Sequence, residues 1–90
     1  MGKTSVDGIL SKGKGVFMRN YRFLINEQFQ ANSIAEDLRV QMEVNRFNDV
    51  NILSVDNRNE ILVQVFESNE AANETVETFM QDYQKGIIME

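Results

Sequence analysis

From Val16 to Phe29 the chain alternates: Phe17, Tyr21, Phe23, Ile25 and Phe29 share one parity, and Met18, Asn20, Arg22, Leu24, Asn26 and Gln28 share the other. Successive side chains of an extended strand point to opposite faces, so this run predicts a strand with one strongly apolar face. A face of that kind has to be covered, and the rest of the chain must supply the layer that covers it. Ninety residues is the length of one small domain, so that layer belongs to the same core.

The downstream pattern supplies it. Ala31-Asn32 breaks the alternation, and Ser33-Ile34-Ala35-Glu36 matches a capping box, predicting a helix that starts at Ser33 with Ile34, Ala35, Leu38 and Met42 as its core stripe. Glu36 and Asp37 stand near the positive end of its dipole and Arg46 near the negative end. Asp49 to Asp56 and Glu60 to Glu67 read as strands rich in branched residues, and Asp56-Asn57-Arg58-Asn59 between them as a hairpin turn. Ser68 is the expected cap of a second helix over 69–85 with Ala72, Val76, Phe79, Met80 and Tyr83 on one face and Gly86 as its stop. Ile87-Ile88-Met89 is a candidate last strand.

The order β-α-β-β-α, with the further terminal β, predicts an α+β, ferredoxin-like two-layer sandwich: an antiparallel sheet with two helices on one face. Residues 16–90 form the expected single domain. Residues 1–15, which hold four of the five glycines, are the expected flexible basic N-terminal arm, with Val6, Ile9 and Leu10 at roughly helical spacing.

The charge is as uneven as the glycine. Residues 1–25 carry Lys3, Lys12, Lys14, Arg19 and Arg22 against Asp7, a net +4, and the remainder carries four basic residues against thirteen acids, a net −9. A basic arm before an acidic body reaches for an anionic partner or lies on its own domain. Nucleic acid is expected to receive no more than weak, salt-sensitive contact from the arm, because Glu60 to Glu67 lacks the pattern of RNA-recognition sheets.

Chemistry has little to work with. The sequence has no His, Cys, Pro or Trp, which removes disulfides, thiolate and imidazole catalysis and Cys/His zinc sites. Ser11-Lys12-Gly13-Lys14-Gly15 is not a phosphate loop, and Asp56-Asn57-Arg58-Asn59-Glu60 puts Arg58 where a calcium loop needs its second ligand. The expectation is therefore no catalytic, cofactor-binding or metal-binding residue and no cofactor. Acidic pairs alone could still serve as acid and base, but no spacing recommends them. Glu70, Glu74 and Glu77 form a row at helical spacing that reads as a solvated face. No apolar run approaches the roughly 18 residues of a membrane span, and no secretory signal is evident, so a cytoplasmic protein, or a virion component, with no membrane partner is expected.

Two surfaces exceed what a two-layer domain needs. On the second sheet face parity places Met18, Leu24, Leu62 and Phe66, with either Leu53 and Val55 or Val50 and Ile52, beside Arg22, Asn26 and Gln64. On the first helix Val40, Val44 and Phe47 repeat away from the core stripe. With Lys12, Lys14, Arg19 and Arg22 these are the candidate interaction residues. They predict a non-enzymatic protein–protein interaction module: a small subunit or assembly factor that docks on itself, as a homo-oligomer, or on a larger protein complex. Ten Asn in a chain without Cys or Pro is a composition of AT-rich genomes such as bacteriophages, which fits a virion component. A small acidic inhibitor or regulator of a host enzyme, and a small ligand-binding regulatory domain, are the alternatives.

Overall fold

The alternating run becomes β1, Met18–Ile25, with Tyr21, Phe23 and Ile25 fully buried. The computed structural model describes residues 17–89, so the expected arm and its Lys12 and Lys14 lie outside the described residues. After β1 come α1 (Ala31–Val44), β2 (Asn51–Val55), β3 (Glu60–Phe66), α2 (Glu70–Met80) and β4 (Gln84–Met89). All strand neighbours are antiparallel, in the order β2-β3-β1-β4, and the domain is an α+β arrangement of a four-stranded sheet and two helices.

One parity of the sheet faces the helices. Tyr21, Phe23, Ile25, Ile61, Val63 and Val65 join Ala31, Ile34, Ala35, Leu38 and Met42 of α1 and Ala72, Val76 and Met80 of α2 in one buried cluster. Each Val, Leu, Ile, Phe or Met side chain among them stabilises the fold by roughly 1.5–3 kcal/mol relative to exposure. Phe29, Phe47, Val50, Ile52, Phe79 and Tyr83 pack around its margin.

Several boundaries differ from the sequence-based expectation, each for a tertiary reason. The first helix begins at Ala31 and not at Ser33, and no side chain of its own cap residue, Gln30, closes it. Asn59, 28 residues away on the hairpin, does so instead: its Oδ1 accepts from the Ala31 N–H at 2.8 Å, and its Nδ2 donates to the Phe29 carbonyl at 3.0 Å. Asn59 has φ 53°, a left-handed conformation that Asn tolerates better than most residues. The Ser33–Glu36 capping box does not form; Ser33 lies in the first turn, and Glu36 pairs with Arg39 at 3.2 Å.

The same helix ends at Val44 through a left-handed residue, Arg46 with φ 61°. The Phe47 N–H donates to the Met42 carbonyl at 2.9 Å and the Arg46 N–H to Glu43 at 3.0 Å, the two bonds of a Schellman motif. That turn brings Phe47 back onto the core margin, so it is not part of an exposed helical stripe.

The second helix is capped by Asn69, not Ser68: the Asn69 Oδ1 accepts from the Ala72 N–H at 3.1 Å. It stops at Met80 rather than Lys85, because residues 84–89 pair with β1 as β4. Gly86 is therefore a strand residue, opposite Leu24, and not a helix stop; a Cβ there would meet Leu24 Cδ1 at 3.4 Å. The register shifts between Leu24 and Ile25, where a bulge lets Gln84 oppose Ile25.

Candidate functional site

The open face of the sheet is built by the second parity, and the register places its residues in cross-strand rows. Phe66 lies beside Met18; Gln64 beside Asn51 and Asn20; Leu62 beside Leu53 and Arg22; Glu60 beside Val55 and Leu24. On the far side of β1, Ile88 lies beside Arg22 and Gly86 beside Leu24. The register also decides which residues of β2 belong here: Leu53 and Val55 do, whereas Ile52 and Val50 pack against the core margin.

This face is mixed. Leu53 is 59% exposed and Ile88 45%, while Met18, Leu24, Leu62 and Phe66 are half-buried among their neighbours. Between the apolar rows runs an amide row, Asn20, Gln64 and Asn51, in which Asn51 Nδ2 donates to Gln64 Oε1 at 3.3 Å. Arg22 lies across the face with Nη1 3.5 Å from Glu60 Oε1, and the Glu60 side chain is largely covered. A shallow groove of about 330 Å³ follows the amide row, lined by Asn20, Asn51, Leu53, Leu62 and Gln64 and floored by the strand backbones. It presents amide donors and acceptors beside Leu53 and Leu62.

Arg19 belongs to the opposite side. Its guanidinium reaches the Tyr21 hydroxyl and Asn73 Oδ1, both at 3.5 Å, and Glu67 at 3.7 Å. The Tyr21 hydroxyl lies 2.9 Å from Asn73 Oδ1 and 2.7 Å from Glu77 Oε2, so its single proton has two acceptors. Asn73 is buried and donates through Nδ2 to the carbonyls of Asn69 (2.8 Å) and Phe66 (3.0 Å). Burial pushes the Tyr21 phenol above its ordinary value, with the Arg19 hydrogen bond opposing and Glu77 reinforcing the shift. The hydrogen bond to Tyr21 in turn raises the Arg19 guanidinium. This cluster joins β1 to α2, and it takes Glu77 out of the row of free carboxylates that Glu70 and Glu74 continue along a shallow surface groove.

The remaining candidates are dispersed. Val40 and Val44 are exposed on α1, at 54% and 71%, and Phe47 is turned inward as described. No helix among the described residues is long and apolar enough to cross a membrane. Among the described residues no three Asp or Glu side chains cluster as a metal site would require.

The amide row, the Asn59 cap and the Tyr21–Asn73–Glu77 cluster are absent from the sequence-based expectation. Parity alone places Asn20 and Gln64 on the open face. Only the strand register reveals that Asn51 completes the row. No family model, no curated protein and no solved structure matches this chain.

Proposed function

We propose that this domain is a non-enzymatic protein–protein interaction module, a small subunit or assembly factor that docks through the open face of its sheet. The observation that carries this reading is the face itself: Leu53 more than half exposed beside Leu62, with Leu62, Leu24 and Phe66 half-buried and, among the described residues, no helix on that side. Covering apolar area stabilises a complex by about 25 cal/mol per Å² before association costs. The amide row restricts the partner to one that brings its own hydrogen-bonding groups into the groove.

The element order and the insertion of β3 between the mutually parallel β1 and β2 support the finer assignment of the fold as a split β-α-β, ferredoxin-like domain. The virion setting rests on composition alone. The inhibitor reading draws on Glu70 and Glu74, since Glu77 is engaged by Tyr21.

A photo-crosslinking amino acid at position 53, with one at Glu74 as the control on α2, tests the docking face in the host from which the sequence comes. The expected result is a discrete crosslinked protein from position 53 that disappears when Leu62→Asp is added. Crosslinks from position 74 alone, or an adduct indifferent to Leu62→Asp, would assign binding elsewhere.

A further inference from the structure

The sheet has two edges, and they are finished differently. At β2 the Ile52 carbonyl accepts from Arg39 Nη2 at 2.9 Å, so a side chain of α1 already occupies part of that edge. At the other edge β4 pairs, among the described residues, with β1 alone and carries Ile87, Ile88 and Met89 at 44%, 45% and 55% exposure. These residues are apolar on both faces: Ile87 and Met89 stand opposite Phe23 and Tyr21 on the helix side, and Ile88 stands opposite Arg22 on the open side. An outer strand of this kind offers backbone N–H and C=O groups together with apolar side chains, and proteins ordinarily blunt such an edge with charge or proline.

We propose that β4 is the edge through which two copies of this chain pair, antiparallel and about a two-fold axis through Ile87, into one continuous eight-stranded sheet. The sequence of β4 is complementary to itself in that register. Ile87 meets Ile87 on the helix side, adding apolar contact of the kind that stabilises cross-strand pairs. Ile88 of each copy lies across from the other's Gly86, over which Leu24 provides an apolar wall. Lys85 falls opposite Met89 rather than opposite a second Lys85, so no like charges are apposed, and Lys85 keeps its partner Glu27. Because the interface is isologous it closes at two copies, whereas pairing β4 with β2 would leave free edges and grow without limit. The Arg39 contact at β2 disfavours that course.

A single six-residue edge falls below the roughly 1,200 Å² of a standard stable interface, so the dimer is weak and forms with concentration. The pairing rests on the edge and not on the open-face reading, which it leaves intact by setting two open faces side by side. Sedimentation velocity from about 10 μM to about 1 mM, a span chosen for weak association, on the full chain and its Ile87→Lys and Leu53→Asp variants tests it. Backbone hydrogen exchange of residues 87–89 over the same range needs no variant. The expected result is a doubling of mass for the wild type and Leu53→Asp, a monomer for Ile87→Lys, and slower exchange at 87–89 as concentration rises. A monomer throughout, whether its edge amides exchange freely or are protected from within the chain, overturns the proposal. So does a dimer that survives Ile87→Lys, or one lost only in Leu53→Asp, which would assign self-association to the open face.

Discussion

Asn59 sits where three elements meet, and replacing it separates backbone strain from hydrogen bonding. Its side chain accepts from Ala31 at 2.8 Å and donates to Phe29 at 3.0 Å, with longer approaches of 3.4 Å to the Ile25 and Asn26 carbonyls. Its own carbonyl accepts from the Ile25 N–H at 3.0 Å, tying the β2–β3 turn to the end of β1. Asn59→Ala removes a helix cap, the bond from the Ala31 N–H, which costs about 1 kcal/mol, and leaves the half-buried Phe29 carbonyl short of a partner, about another 1 kcal/mol. It also forces Ala into φ 53°, which costs roughly 1 kcal/mol more. Asn59→Gly keeps the hydrogen-bond loss and relieves the strain at roughly 0.5 kcal/mol of extra unfolded-state entropy, so the expected losses in urea unfolding are about 3 kcal/mol for Ala and about 2.5 kcal/mol for Gly. In a domain of this size the first corresponds to a fall in Tm of more than about 10 °C. An Ala variant within about 0.5 kcal/mol of wild type would refute the long-range cap. A larger loss for Gly than for Ala would remove the strain from the account.

Three further substitutions probe other parts of the fold. Tyr21→Phe should cost about 1–2 kcal/mol in chemical denaturation, because buried Asn73 loses its 2.9 Å partner; in the wild type, absorbance titration should show one tyrosine ionising above the ordinary phenol range and absent from the variant. Arg46→Gly should stabilise by roughly 0.5 kcal/mol, the relief at φ 61° exceeding the extra unfolded-state entropy of Gly, and a loss would show that the Arg46 side chain itself matters. The hydrogen bond from Lys85, then one from its own backbone, hold the Glu27 carboxyl below its usual value, so its contribution is present above the unfolded carboxylate pKa and lost as pH falls through the folded one. Glu27→Gln should therefore be less stable than wild type at neutral pH and low salt and equal to it in acid or high salt; a gap that persists in acid would assign the effect to something other than this exposed pair.

The elements that depend on local pattern are legible in the sequence. The parity of Tyr21, Phe23 and Ile25, the stripe of Ile34, Ala35, Leu38 and Met42, and the Asp56–Asn59 turn all stand where alternation, helical spacing and turn chemistry place them. The misjudged boundaries are those set by distant partners. Ser33 and Glu36 satisfy a local capping rule, yet Ala31 and Asn32 enter the helix because Asn59 arrives from the hairpin to receive the Ala31 N–H. Residues 84 and 85 continue a helical pattern, yet β1 claims them, since pairing along a free sheet edge satisfies a whole row of backbone groups where a frayed last helical turn satisfies few. Leu53 against Ile52 illustrates the same limit: adjacent apolar residues carry no parity of their own, and only the opposition of Leu53 to Leu62 assigns them to faces.

The mixed chemistry of the open face bears on what can dock there. A wholly apolar sheet face would accept any greasy surface, but Asn20, Gln64 and Asn51 cross this one in an unbroken row. Only one hydrogen bond, from Asn51 to Gln64, is satisfied within the row, so a partner that merely covered it with hydrocarbon would desolvate the other amide groups at about 1–3 kcal/mol each. That penalty is comparable to the gain from burying one leucine. A partner that places its own amides or backbone in the groove recovers the hydrogen bonds and keeps the burial of Leu53 and Leu62. In the docking proposed for this face the leucines would supply affinity and the amides selectivity, and the two separate experimentally. Leu53→Ala should weaken every partner alike. Gln64→Leu should weaken the cognate partner while strengthening nonspecific apolar association, read as increased binding of a hydrophobic dye by the free domain. A Gln64→Leu variant that binds its partner with unchanged affinity would show that the amide row plays no part in recognition.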